Sequence, residues 1–188
     1  MSTQAHVVDN RPPRGVARVG WPRPAAAGLN ARDDLPARRV AATRRLHHRW
    51  KDLYDLVLDI ERYPAFVPSC RAVKVYSRAA APPARTVIVS RMTVGVAGFD
   101  VSYANRTTGD ALARRIEVKA LDGPLRRLDV LWTFEPDGEE WTSVGFSVDY
   151  AFDSAILSAV ASRAFAAMFG EILAAFQRRA DRLFPRGS

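Results

Sequence analysis

Between Val73 and Phe152 the apolar side chains recur at every second position, as strands with one dry face require. Six inward sets can be read. They are Val73 and Val75; Ile88, Met92, Val94 and Val96; Phe99, Val101 and Tyr103; Leu112, Ile116 and Val118; Leu128, Val130, Trp132 and Phe134; and Val144, Phe146, Val148, Tyr150 and Phe152. The opposite faces carry Arg91, Thr93, Asp100, Ser102, Arg115, Glu117, Lys119, Asp129, Ser143, Ser147 and Asp149. Ser90 and Asn105 are the few polar groups in the inward register. Turn chemistry punctuates the strands at Ala97-Gly98, Thr108-Gly109-Asp110, Asp122-Gly123-Pro124 and Pro136-Asp137-Gly138. Alternation this clean belongs to an antiparallel sheet covered on one side only.

On either side of this region the period changes from two to helical. A short strand is expected from Arg39 to Leu46, with Val40, Ala42 and Leu46 on one side. Trp50, Leu53, Tyr54 and Val57 then fall at i, i+3, i+4 and i+7, predicting an amphipathic helix. It should stop near Tyr63-Pro64, because a residue before proline avoids the helical region. From Asp153 to Phe184 the chain predicts one long helix of about 45 Å, capped by Asp153 or Ser154. Its apolar stripe reads Leu157, Val160, Ala164, Met168, Ile172, Ala175 and Phe176, with Gly170 marking a close approach or a gap. A sheet with one apolar face has to bury it, and only this helix is long enough to do so. The expected fold is therefore α+β, a curved antiparallel sheet of about six to seven strands wrapped around a long C-terminal helix.

Composition limits the partners more than the fold. The net charge of the 188 residues is +8, which favours polyanions. Half of that charge sits in residues 1–39, where seven Arg face three Asp. Five prolines and little apolar periodicity make residues 1–37 read as a disordered Arg/Pro/Ala-rich tail, leaving 38–184 as the folded domain. No uncharged apolar run reaches the ~18 residues of a membrane span, and the N-terminus lacks the order of a signal peptide. Cys70 is the single cysteine, so no internal disulfide can form.

Chemistry-bearing clusters are not apparent. The three histidines, His6, His47 and His48, and Cys70 show no metal-ligand spacing, so no metal is expected. Neither a nucleophile elbow nor a phosphate loop is present, and no acid–base pair falls inside the sheet, so no catalytic residue is assigned. The inward face carries seven aromatic rings, Phe99, Tyr103, Trp132, Phe134, Phe146, Tyr150 and Phe152. A filled aromatic core and an apolar ligand cavity both fit that pattern. The uncharged hairpin Val94–Phe99 could lie over a cavity, touch a bilayer surface or fold back onto the helix.

Four segments together resemble a known family: DLVLDIERYPAFVPSC (55–70), the V-x-V-x-x-F spacing of Val94, Val96 and Phe99, LDGPLRRLDVLWTFEPDG (121–138) and VDYAFDSAILSAV (148–160). They resemble, from about Thr43 to Phe184, the coenzyme Q-binding and ribosome-association toxin branch of the START-like polyketide cyclase/dehydrase superfamily. The family pattern Y-P-x-F-x-P-W-C appears as Tyr63-Pro64-Ala65-Phe66-Val67-Pro68-Ser69-Cys70, with Ser69 in place of the tryptophan. The resemblance implies a helix-grip domain that binds ubiquinone or a similar isoprenoid lipid, a non-catalytic chaperone in respiration or quinone biosynthesis with no covalent cofactor. The ligand would meet Val94, Val96, Phe99, Tyr103, Leu128, Trp132, Phe146 and Tyr150 from the sheet and Ala164 and Met168 from the helix, with Tyr63, Pro64, Phe66 and Pro68 at the mouth. The implied place is the cytoplasm, peripheral to the inner membrane through the 94–99 hairpin, or the mitochondrial matrix side in a eukaryote. The alternative is a ribosome-associated translation regulator whose contact surface would be Arg115, Lys119, Arg126, Arg127 and the basic tail.

Overall fold

Seven strands and two helices follow one another as β1 (Arg38–Leu46), α1 (Trp50–Leu58), a 3₁₀ helix (Ile60–Ala65), β2 (Cys70–Ala81), β3 (Arg85–Val96), β4 (Phe99–Asp110), β5 (Arg115–Ala120), β6 (Leu125–Pro136), β7 (Thr142–Phe152) and α2 (Ala155–Leu183). The structure is a computed structural model; it describes residues 38–96, 98–152 and 155–184, with the side chains of 96, 152 and 155–167 excluded. The expected tail, 1–37, and the expected caps Asp153 and Ser154 lie outside the described residues.

All neighbouring strands are antiparallel, in the order β1-β7-β6-β5-β4-β3-β2. Strands β2 to β7 form a meander, and β1 joins beyond β7. The chain between β1 and β2 must therefore travel from one edge to the other, about 29 Å at ~4.8 Å per strand step. The segment made of α1 and the 3₁₀ helix performs that crossing. Register irregularities at Cys70/Ala72, Val75/Ser77 and Leu125/Arg127 bend strands locally, as bulges do. The result is a curved sheet gripping α2, the arrangement expected from the sequence.

Burial explains why each element forms where it does. On α1, Leu53, Tyr54, Leu56, Val57 and Leu58 are buried. The helix ends at Asp59, whose φ of −80° and ψ of 59° leave the α region, and the expected continuation to Tyr63 is instead a 3₁₀ helix containing Pro64. Proline lacks the N–H that a longer α-helix would need there. On α2 the fully buried positions are Phe169, Leu173, Phe176 and Ala180, with Ala175, while Met168 and Ile172 are half-buried. Of the expected stripe, Ala175 and Phe176 are buried and Met168 and Ile172 half-buried, while the buried Phe169, Leu173 and Ala180 lie outside it. Leu157, Val160 and Ala164 belong to it as well, but their side chains lie outside the described residues. Gly170 faces solvent with open space around it, marking neither a close approach nor an internal gap.

Two expected turn features moved. Thr108-Gly109-Asp110 is no turn; β4 runs through it and the chain reverses at 111–114, which leaves Leu112 70% exposed rather than inward. Gly109 explains the difference, since a Cβ there would lie 2.5 Å from the Tyr54 hydroxyl and 3.1 Å from Leu58. The glycine serves the approach of α1 to the sheet. Phe99, expected inward, is 73% exposed. Asn105–Asp110 of β4 pair with β5 and the β5–β6 turn reaches back to Tyr103 and Ala104, so the tip of the β3–β4 hairpin around Phe99 protrudes beyond that neighbour. Alternation continues in this hairpin without the burial that usually accompanies it.

Gly109→Ala should destabilise the fold by about 1–3 kcal/mol, the usual cost of overpacking, measured by urea denaturation. In a Tyr54→Phe background the cost should shrink, because the nearest clashing atom is gone. An equal cost in both backgrounds would show that the Tyr54 hydroxyl is not the cause.

Candidate functional site

The inner face of the sheet divides into two zones. Along β6 and β7, Leu128, Trp132, Phe134, Val144, Phe146, Val148 and Tyr150 are all buried. Phe146 stacks on Trp132 with ring centroids 4.1 Å apart and on Phe169 of α2 at 4.6 Å. Phe176, 5.0 Å from Trp132, also meets Phe66 and Tyr63 edge-on at 5.1 and 5.2 Å. Such ring pairs contribute about 0.5–1.5 kcal/mol each beyond the area they bury. A cavity of about 20 Å³ remains between α1, β1, β6, β7 and α2, lined by residues including Leu53, Leu56, Trp132 and Leu173. That is room for about one water molecule, too little for a lipid.

Towards β2 to β5 burial on the same face is uneven: Ile88, Ser90, Asn105, Thr107 and Ile116 are buried, whereas other inward positions are only half-buried. Val73, Val75, Met92, Val94, Val101, Tyr103, Val118 and Ala120 are all of intermediate exposure. Register pairs place Val94 opposite Val101 and Met92 opposite Tyr103, and the Tyr103 hydroxyl donates to the Met92 sulfur at 3.4 Å. Gly123, at φ +111°, lets the β5–β6 turn lie against the Tyr103 backbone, where a Cβ would come within 2.7 Å of the Tyr103 Cβ. One rung further in, Asn105 stands opposite Ser90. Its Oδ1 accepts hydrogen bonds from Ser90 Oγ at 3.1 Å and Thr107 Oγ1 at 3.4 Å, and its Nδ2 has no partner.

The expected ligand residues therefore separate. Leu128, Trp132, Phe146 and Tyr150 are packed core; Val94, Tyr103 and Met168 border the half-buried zone; Phe99 stands outside it; Val96 and Ala164 have side chains outside the described residues. Of the expected mouth, Tyr63 and Phe66 join the ring cluster on Phe176, Pro68 is half-buried and Pro64 is exposed. Ser69 takes a left-handed conformation, φ +64°, and its carbonyl accepts the Gly95 N–H at 2.8 Å. That bond ties the mouth segment to the base of the 94–99 hairpin. Phe169 and Thr107 carry weight that the sequence reading did not assign to them. Thr107 continues the inward alternation from Asn105, and that register was the available signal.

Burial raises the pKa of four groups around the inner face. It pushes the Cys70 thiol from its ordinary 9.0 up to about 11 and the Tyr54 hydroxyl from 10.0 up to about 12, the latter with help from Asp110 and Asp55. Burial likewise raises Tyr63 and Tyr103, with smaller contributions from neighbouring Cys70. At neutral pH these side chains are weak proton donors and no bases. Among the described residues no group of three His, Cys, Asp or Glu is placed to hold a metal, and no helix is long and apolar enough to cross a membrane. On the outer face, Arg115 and Arg127 pair with Glu117 and Asp129 at 3.4 and 2.8 Å. Arg106 and Lys119 are exposed cross-strand neighbours.

Residues 46–177 match a family model described as polyketide cyclase / dehydrase and lipid transport. The chain is 28% identical over 144 residues to the ribosome association toxin RatA of Rickettsia prowazekii, covering 75% of this chain and 94% of that protein. It is also 28% identical over 140 residues to coenzyme Q-binding protein COQ10 homolog B, mitochondrial, of Xenopus laevis, covering 72% of this chain and 55% of that protein. The solution structure of the 18 kDa protein CC1736 from Caulobacter crescentus superimposes with a TM-score of 0.66 at 31% identity, covering 79% of this chain and 99% of that one.

Two predictions follow from the packing and the raised thiol pKa. Phe146→Ala should cost about 3–5 kcal/mol in urea denaturation, as for large aromatic truncations in cores; a loss below 1 kcal/mol would mean that the stack is not a fastening point. The folded state binds the Cys70 proton more tightly than the unfolded chain. Stability from this group is therefore complete below about pH 9 and declines as pH rises through about 11. Replacing Cys70 with Ala should remove the lower part of the alkaline decline. Native Cys70 should also react with iodoacetamide at pH 8 much more slowly than the urea-unfolded chain, and equal rates would contradict its burial.

Proposed function

The chain belongs to the polyketide cyclase / dehydrase and lipid transport family, and from that premise we propose that it binds ubiquinone or a similar isoprenoid lipid without transforming it. The observation that carries this reading is the half-buried apolar patch of Val73, Val75, Met92, Val94, Val101 and Tyr103 beside a largely packed β6–β7 flank. An apolar ligand laid along Val73, Met92, Val94, Val101 and Tyr103 would remove that surface from water, at roughly 25 cal/mol per Å². The surrounding tyrosines and Cys70 are held neutral by burial, which suits carriage of an apolar molecule better than proton transfer. Similarity to a protein named as coenzyme Q-binding points the same way. The protruding hairpin with exposed Phe99 is where such a carrier would meet a lipid surface, on the cytoplasmic or matrix side of an inner membrane.

A second reading is favoured by the similarity to ribosome association toxins, which extends over nearly the whole of those proteins. Its surface would be the outer sheet face, where Arg106 and Lys119 stand side by side, and its binding would weaken steeply with salt.

Ubiquinone-2 should be retained by the full chain in equilibrium dialysis and should quench tryptophan emission. Trp132, the tryptophan on the inner face, should account for most of the quenching, so Trp132→Phe should lose the signal while dialysis still shows binding. No retained quinone would reject the lipid reading. Ribosome cosedimentation abolished by joint Arg106→Glu and Lys119→Glu substitution would then favour the second.

A further inference from the structure

Asn105 is anomalous for the place it occupies. It lies 1% exposed in the inward register of β4, between Ser90 of β3 and Ala120 of β5, on a face otherwise built of apolar side chains. Ser90 and Thr107, themselves 0% and 3% exposed, both donate to its Oδ1. With both hydroxyls donating to that one oxygen, the NH₂ group is left over. That Nδ2 is buried without a hydrogen-bond partner. A buried donor left unpaired loses its hydration with no hydrogen bond to offset it, a cost that a valine or leucine at this inward position would avoid. The neighbours on the same face are apolar and half-buried: Met92 and Tyr103 on the hairpin side, Val75 on β2 and Ala120 on β5. Tyr103 does not compete for the amide, since its hydroxyl donates to Met92.

We infer that Asn105 is the head-group contact of this domain, its Nδ2 donating to a neutral carbonyl or ether oxygen of the bound molecule, with Ser90 and Thr107 as positioning residues. The ligand class follows from the donor set. An amide offers hydrogen bonds without charge, and among the described residues none of its neighbours on the inward face of β3, β4 and β5 is Lys, Arg or His. A carboxylate or phosphate buried here would lack the cation its burial demands, so a fatty acid or phospholipid head is disfavoured and a quinone or ketone favoured. The apolar residues around the niche take the ring and the start of the chain, and the amide sets which end enters first. This inference rests on the lipid-binding reading above and adds to it the polarity of the end that is held.

The test compares two probes on the full chain, ubiquinone-2 and farnesene, a terpene hydrocarbon with no head group. Asn105→Leu should weaken ubiquinone-2 binding about tenfold, equivalent to ~1.4 kcal/mol, and leave farnesene binding within about twofold. The infrared carbonyl stretch of bound ubiquinone-2 should lie below its frequency in hexane for the native protein and return towards it in the variant. If neither probe binds the native chain, the lipid-binding reading fails and this one falls with it. If both bind but Asn105→Leu affects them equally, or the carbonyl stretch in the native protein matches hexane, the head-group assignment alone is overturned. The native infrared measurement decides the matter even should the variant fail to fold.

Discussion

The stack of Phe146 between Trp132 and Phe169 is the constraint to which the rest of the molecule answers. Two strands and the long helix meet there through three rings, and close-packed aromatic contacts tolerate little displacement. Because β7 leads into α2, the helix has to turn back over the flank from which it emerges. β1 seals that flank by pairing with β7. His48, at the junction of β1 and α1, holds the far end of α2 with its Nε2 2.8 Å from Asp181 Oδ1, while Thr142 Oγ1 donates to its carbonyl at 2.7 Å. α2 is therefore fastened along β6, β7 and the β1–α1 junction.

Burial across the inner face is nearly complete along β6 and β7. Along β2 to β5 it is complete at Ile88, Ser90, Asn105, Thr107 and Ile116 and partial at Val73, Val75, Met92, Val94, Val101 and Tyr103. One face thus combines a packed core with an apolar surface left partly open to water. The family name joins cyclisation with lipid transport, and a fold alone does not choose between them. In this chain burial raises the pKa of Tyr54, Tyr63, Cys70 and Tyr103, and the buried polar groups of the inward register on β3 and β4 are the Ser90 and Thr107 hydroxyls and the Asn105 amide.

Much of this was legible from residue order because period-two alternation and turn chemistry are local. The strands β3, β4, β6 and β7, the helix α1, the span of α2 and the inward placement of Ser90 and Asn105 all follow from which side of the chain each residue occupies. The details that escaped depend on what lies across from a residue. Whether Phe169 or Met168 faces the sheet turns on a helical rotation set by Trp132 and Phe146. Gly109 reads as a turn until Tyr54 is found against it. Phe99 alternates correctly yet is exposed because β5 stops short of it.

By itself, then, the sequence determined the kind and order of the elements and which face of each strand is dry, since backbone geometry carries those through local periodicity. Only the tertiary structure decided which rings fasten the helix, which part of the dry face stays open, and that Asn105 keeps an unpaired donor inside it. Those outcomes belong to partners far apart in the chain, whose meeting is fixed by packing rather than by spacing.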